Sequence, residues 1–393
     1  MPEVAGRVAD AFETRIREHE ERSLSPLAVR SYETRGRIRD EDECGLRTPF
    51  QRDRDRILHS KPFRRLKGKT QVFIDPAGDH YRTRMTHTLE TTGIARGVAR
   101  ALRLNEDLTE AIGLGHDTGH PPFGHAGEHA LDRALEERFG RRFRHNEQSL
   151  RIAERLNLTY EVRNGILTHT GELEPDTLEG KIVRLVDRVA YINHDIDDAV
   201  RFGILSPEEL PREEVELLGP RGSARIDTLV HDLVETSERK GDIAQSEDVG
   251  AAMLSLRSFM FDHVYNGPHA QSEHERAHTV VRTIFDQLAA QESDPDEIVD
   301  FISGMTDRFA LEFAERAAYM ARLKDASVET VKEASDFVAV VEGRTQLRKV
   351  GSRYTGRCPF HEERTPSFSV NAVDKLYYCF GCGAKGDLIT FVR

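Results

Sequence analysis

The sequence predicts a mainly α protein, a large helical bundle followed by a small β module near the C-terminus. Three observations predict it. Apolar residues recur at three- and four-residue spacing through most of the chain, strand signals are scarce before residue 345, and after Gly343 short strands and turns carry three of the four cysteines.

Taken in order, Met1 to Glu21 is amphipathic and mixed in charge, so residues 1–34 read as an N-terminal helical extension. Gln71-Val72-Phe73-Ile74 reads as a short strand closed by the turn residues Asp75-Pro76-Ala77-Gly78. Helical periodicity follows in Met85, Leu89, Val98 and Leu102, then in Leu108, Ala111, Ile112 and Leu114, and again in Ile182, Leu185, Val189, Ile192 and Ile196. Residues 206–245 are acidic and broken by Pro207, Pro211 and Gly219-Pro220, which predicts a peripheral insertion or mobile connection. Helical patterns resume over 249–266, 277–290, 296–323 and 328–341.

No run approaches the roughly eighteen apolar residues of a membrane span, and the N-terminus lacks the apolar core of a signal peptide, so a cytoplasmic protein is expected, with no membrane partner. Four cysteines in 393 residues do not make a disulfide framework, and Cys44 reads as a small buried hydrophobe. The net charge of −12 is unevenly spread. Residues 344–393 carry nine Lys/Arg against four Asp/Glu, and a second basic island, eleven against four, runs from Arg47 to Arg84, where an anionic substrate could be steered.

The run from Gly115 to Glu128 holds His116, Asp117, His120, His125 and Glu128 between glycines and prolines that interrupt regular structure. Adjacent His and Asp at a helix end offer mixed N and O ligands to a divalent metal, and the later histidines and glutamate suit proton transfer. Within 178–201, Asp187, Tyr191, His194, Asp195 and Asp198 fall at i, i+4, i+7, i+8 and i+11, on one helix face opposite the aliphatic stripe. Such a face is either a wet acidic surface or one wall of a site; a metal or an arginine-bearing loop would relieve its repulsion.

His87, His116-Asp117 and Asp187 together resemble the signature of the HD phosphohydrolase superfamily, and within it the deoxynucleoside triphosphate triphosphohydrolases, the dGTPase-like group. The likeness extends through Arg47-Thr48-Pro49-Phe50-Gln51-Arg52-Asp53, Phe63-Arg64-Arg65-Leu66, Lys69-Thr70-Gln71-Val72-Phe73, His145-Asn146-Glu147-Gln148 and Ile302-Ser303-Gly304-Met305-Thr306-Asp307, about residues 35 to 325. It implies an HD-domain helical bundle over 35–325 in which His87, His116, Asp117 and Asp187 hold the metal. It further implies a catalytic pair, His125 and Glu128, with His120 and His145 near the phosphates, while Gln71, Tyr191 and Asp195 recognise the deoxyribose. Arg64, Lys69, Arg82 and Arg84 are triphosphate or structural contacts. The implied activity is hydrolysis of dGTP or several dNTPs to deoxynucleoside and inorganic triphosphate, in a homo-oligomer. The donor set by itself does not choose between Mg, Mn, Fe and Zn; Mg or Mn is expected, with Fe or Zn as alternatives. Other readings are an HD hydrolase of guanosine tetraphosphate or of a phosphodiester, and a single-stranded nucleic-acid binder.

Cys358-Pro359-Phe360-His361 and Cys379-Phe380-Gly381-Cys382 supply two knuckles with the spacing of a closed, structural zinc site. With Arg364-Thr365-Pro366-Ser367-Phe368 and Tyr377-Tyr378, they resemble the zinc-binding domain of bacterial DNA primase, which implies a zinc-ribbon module over 326–393 and single-stranded DNA as a partner. No primase polymerase core follows in these residues, so priming is not expected; the tail binds DNA, binds a partner or is a remnant.

Overall fold

Side-chain caps begin several helices where the periodicity begins. In the computed structural model, which describes residues 2–71, 82–322 and 325–392, Thr48 Oγ1 accepts from Gln51 N at 3.2 Å to start Pro49–His59. Thr83 starts Arg84–Ala101, Asn105 starts Glu106–Gly115 and Thr177 starts Leu178–Arg201 in the same way. Each cap satisfies an amide that the helix itself leaves unpaired. Of the expected 71–74 strand only Gln71 lies within the described residues.

The chain packs as two units, Met1–Ala314 and Glu315–Arg393. In the first, Leu178–Arg201 is the central rod. Its inner stripe buries Ile182 and Val186 against Ile57, Val98, Ile112 and Ile166, and its later turns bury Val189, Ile192 and Ile196 against Leu229, Met253 and Met260. Full burial of one such side chain stabilises by about 1.5–3 kcal/mol. Two glycines set the closest approach. A Cβ on Gly115 would lie 2.5 Å from Ile166 Cδ1, and one on Gly165 would lie 2.5 Å from Ile112 Cδ1, so Glu106–Gly115 and Tyr160–Thr168 dock glycine to isoleucine in both directions. That docking joins the ends of the two helices, where His116 and His169 sit.

Several expectations change. Residues 206–245 form no loose connection: Arg212–Leu218 and Gly222–Lys240 are helices, with Leu229 and Leu233 fully buried and Arg225 Nε donating to Asn193 Oδ1 at 2.7 Å. The prolines stand at helix starts or between helices and most of the acids face outward, so composition concealed the i, i+4 leucines. The 249–266 pattern splits into Glu247–Met260 and a π turn, Phe261–Tyr265, and the 296–323 pattern into Pro295–Ser303 and Asp307–Arg322. Leu89 is exposed, and Cys44 is only half-buried, with Arg47 Nε 3.4 Å from its sulfur.

In the second unit, β1 (Leu347–Val350), β2 (Arg353–Gly356), β3 (Phe368–Asn371), β4 (Leu376–Cys379) and β5 (Lys385–Asp387) form one antiparallel sheet in sequence order. Strand alternation buries Tyr377 and Cys379 with Phe337, Phe368 and Phe391, and leaves Leu376 and Tyr378 outside.

Glu179, fully buried in the first turn of the central helix, accepts from Val29 N at 3.1 Å and Asn105 N at 3.0 Å through one oxygen. Burial raises its pKa from 4.5 to about 6, against those two bonds. A folded-state pKa above the unfolded one favours folding at low pH; that contribution is full below 4.5 and is lost as pH rises through about 6. Glu179→Gln keeps an acceptor for both amides, so its stability should exceed that of the parent by about 2 kcal/mol at pH 7.5 and match it near pH 4.5. Denaturant melts at the two pH values check this, and a pH-independent gap would refute it.

Candidate active site and metal centre

Three helices deliver the expected metal ligands to one place. His87 lies in the first turn of Arg84–Ala101, His116 and Asp117 follow the end of Glu106–Gly115, and Asp187 lies midway along Leu178–Arg201. His87 Nε2 is 3.0 Å from Asp187 Oδ1, and His116 Nε2 is 3.5 Å from Asp117 Oδ1 and 3.6 Å from Asp187 Oδ1. One donor atom each from His87, His116 and Asp117 lies within 4.8 Å of the others.

The hydrogen bonds around His116 test whether a cation fits. Its Nδ1 is 2.7 Å from Gly113 O, and since a carbonyl only accepts, the proton is on Nδ1 and Nε2 presents a lone pair. That nitrogen is buried without a hydrogen-bond partner and faces two carboxylates. Acceptors facing acceptors call for a positive charge between them. Neighbouring ligands of an ion with bonds near 2.1 Å stand about 3 Å apart, so the spacing suits a divalent metal. Burial alone would keep His116 neutral, yet the charges of Asp117 and Asp187 lift its pKa to about 9, so that without a metal a proton on Nε2 supplies the positive charge that the carboxylates call for, and a metal ion would replace it.

Beside this set, His120 Nε2 approaches Asp117 Oδ1 at 3.5 Å and its ring stacks on that of His145, centroids 3.8 Å apart. Glu128 uses one oxygen for His145, at 2.8 Å to both Nδ1 and N, and the other for His125 Nδ1 at 3.2 Å. Burial would raise the Glu128 pKa, but the neighbouring His145 and His125 hold it well below the usual carboxylate range. The His125 side chain is 70% exposed while His120 and His145 are buried, so of this group it is the imidazole open to a reacting molecule. Glu128 and His125 stand in the first turns of a 16-residue helix, Gly124–Phe139, although the sequence predicted no long element there.

Arg84 is buried, with Nη1 donating to Asp117 Oδ2 at 2.8 Å and Nε and Nη2 left without partners. Gln71 Oε1 is likewise buried and unpaired. Tyr191 Oη accepts from Arg257 Nε at 2.7 Å, and the Tyr265 hydroxyl donates to Asp195 Oδ2, leaving Oδ1 unpaired. Burial pushes the Asp195 carboxyl up to about 7, against the Tyr265 bond. Arg82 Nη1 meets Asp198 at 2.9 Å, so the acidic helix face is relieved by arginines as well as by the metal site.

Other expected contacts fall elsewhere. Lys69 directs its ammonium to His120 O at 2.5 Å and Ser303 O at 2.7 Å, so this fully buried cation binds main chain; burial, with the charge of Arg84, pulls its pKa down to about 7. Arg64 is exposed on the short Lys61–Arg65 helix. The basic island is largely neutralised: Arg47 pairs with Asp55, Arg54 with Asp55 and Glu110, and Arg52 and Arg56 with Glu41, which removes much of the expected steering. Sequence reasoning missed His169, whose Nε2 is 3.2 Å from His145 Nε2, and also Arg257 and Tyr265. The π turn that presents Tyr265 has no sequence signature.

In the second unit, ligand atoms of Cys358, His361, Cys379 and Cys382 lie within 4.8 Å of one another, and the sulfurs of Cys358 and Cys382 are 3.8 Å apart. A tetrahedral site with Zn–S bonds of 2.3 Å requires about 3.8 Å between sulfurs. Main-chain amides of Phe360 and Cys382 point at Cys358 and Cys379 sulfurs at 3.4 Å, as suits thiolates. Zinc fits, and the cysteines form no disulfide.

Residues 84–192 match the HD domain, 243–297 a phosphohydrolase-associated domain and 323–393 the CHC2 zinc finger. The chain is 50% identical over 315 residues to a deoxyguanosinetriphosphate triphosphohydrolase-like protein of Caldanaerobacter subterraneus, spanning 75% of this chain and 92% of that one. Proteins of the same description from Desulfatibacillum aliphaticivorans and Clostridium perfringens are 45% and 43% identical over 328 and 324 residues, covering 73% and 75% of this chain and 92% and 94% of theirs. No helix among the described residues is long and apolar enough to cross a membrane.

Zinc binding supplies about 10–16 kcal/mol in zinc-finger peptides, enough to hold so small a unit folded. A strong chelator added to the full chain should release zinc, make Cys358, Cys379 and Cys382 reactive to a thiol reagent and abolish hydrogen-exchange protection in β1–β5. Strands still protected after complete zinc loss would show that another force holds the sheet.

Proposed function

As the chain belongs to the family of deoxyguanosinetriphosphate triphosphohydrolase-like proteins, we propose that this metal-dependent phosphohydrolase converts a deoxynucleoside triphosphate, dGTP or several dNTPs, to deoxynucleoside and inorganic triphosphate. The observation that carries the reading is the shared helix: Asp187 serves the metal set, and Tyr191 and Asp195 stand one and two turns further on. Phosphate chemistry and sugar recognition are thereby built on one rod. We place the catalytic domain at 35–325, the N-terminal extension at 1–34 and the zinc-binding module at 326–393.

His87, His116, Asp117 and Asp187 would hold Mg or Mn, which when bound polarises the α-phosphate and lowers the pKa of a water. The unpaired Nε and Nη2 of Arg84 offer two donors to a phosphate oxygen. His120 and His145 stand beside Asp117, one ligand atom of each within 4.8 Å of the others, and would lie near the phosphates. His125, oriented through Nδ1 by Glu128, donates a proton from Nε2 to the departing 5′-oxygen. Tyr191, held by Arg257, fills the space under the sugar, and the unpaired oxygen of Gln71 or that of Asp195 accepts from its 3′-hydroxyl.

Each dNTP and its ribonucleotide counterpart, incubated with Mg or Mn, tests this by product analysis. Triphosphate and deoxynucleoside from dNTPs are expected, and release of phosphate or pyrophosphate instead would overturn the reading. In the same assay His125→Ala should lose about 100- to 10,000-fold in turnover with its fold intact.

For the zinc-binding module we propose single-stranded DNA as a partner. Arg348, Thr355, Ser369, Tyr378 and Lys385 are successive cross-strand partners on one side of the sheet, and Phe380, 72% exposed, stacks edge-on with Tyr378. Aromatic stacking contributes about 1–3 kcal/mol per base, so Tyr378→Ala with Phe380→Ala should weaken oligonucleotide binding at least about tenfold. Unchanged, salt-insensitive affinity would exclude this face.

A further inference from the structure

The Ile302–Asp307 block has no part in the chemistry above, yet its last residue reaches the catalytic loop. Asp307 opens the helix Asp307–Arg322 and is buried. Its Oδ1 accepts from Phe123 N at 2.9 Å, and its Oδ2 accepts from Thr70 N and Thr70 Oγ1, both at 2.8 Å. Lys69, next in the chain to Thr70, bridges His120 O and Ser303 O. Two buried charged side chains therefore fasten both ends of the turn from His120 to Phe123.

That turn needs fastening. Phe123 has φ +65° and Gly124 φ +56°, and a left-handed phenylalanine is disfavoured by its own Cβ. Phe123 is also the N-cap of Gly124–Phe139, where it offers no side-chain oxygen to the first amides. A Cβ on Gly124 would stand 2.8 Å from Gln71 O and 3.1 Å from Arg84 Nη2, so the turn is pressed against two residues assigned to the substrate. His125 follows immediately, and its direction is inherited from the turn.

We infer that Asp307, with Lys69 as its auxiliary, is a positioning residue that sets the His125–Glu128 pair for proton transfer. The inference rests on the role given to His125 above. A carboxylate is required because donors converge on both of its oxygens. An asparagine would turn an NH2 toward either Phe123 N or Thr70, donor against donor.

A double-mutant cycle on the full chain tests it, run on whichever phosphate ester the parent cleaves. Asp307→Asn should lower kcat about 10- to 100-fold, with KM and bound metal within about threefold of the parent and faster amide exchange at Phe123. In the His125→Ala background the same substitution should cost less than about twofold, because its route of action is already gone. Should Asp307→Asn not fold, Asp307→Glu, which keeps the charge and displaces both oxygens, takes its place. An equal loss in the His125→Ala background, or unchanged kcat in the folded variant, would overturn the inference. A parent that cleaves another ester but no dNTP would overturn the proposed substrate alone.

Discussion

His116 Nε2 stands 3.5 Å from an Asp117 oxygen and 3.6 Å from an Asp187 oxygen, and that buried nitrogen has no hydrogen-bond partner. Buried acceptors left in that relation are costly, so the rest of the fold must hold them there until a cation joins them. The apolar stripe of Leu178–Arg201 and the reciprocal packing of Gly115 on Ile166 and Gly165 on Ile112 supply that restraint. Their burial is rigid and non-directional, whereas the site is directional; neither could be exchanged for the other.

Helix ends fix the tautomers that the site requires. His116 and His169 each follow the last turn of a helix, and each donates Nδ1–H to the carbonyl three residues back, Gly113 O and Ile166 O, both at 2.7 Å. A carbonyl left over at a helix C-terminus thus decides which imidazole nitrogen is a base. Glu128 does the same for His145 through Nδ1. Local helix geometry therefore determines which nitrogens can meet metal or substrate, before any ligand arrives.

The parts of this arrangement legible in the sequence are those encoded by spacing. Asp187, Tyr191 and Asp195 share a helix face because 3.6 residues make a turn, and the zinc knuckles are short enough for their own chain to close. Fold class and the helices carrying His87, His116 and Asp187 follow from the same periodicity, whereas the glycines and prolines around His120 hid the helix Gly124–Phe139. His169 was not legible because it meets His145 across 24 residues, where His145–Arg155 packs on Tyr160–Thr168, and Arg257 and Tyr265 reach Tyr191 and Asp195 across 66 and 70 residues. The Leu229–Leu233 helix was hidden by charge composition that belongs to its outer face.

Lys69 and Arg84 show why a residue's charge alone does not reveal its task. Both are buried cations beside the histidine loop, and both looked equally suited to phosphate. An ammonium is a compact charge, and that of Lys69 is bound to two main-chain carbonyls. A guanidinium is a planar fork with five donors; Arg84 can fix Asp117 through Nη1 and still present Nε and Nη2 unpaired. One side chain can therefore hold Asp117 and still receive an anion, and under the proposed function this would couple the position of the phosphate to that of the metal. The lysine fastens the loop and the arginine keeps two donors free for an anion, a division that follows from the shape of the two cations.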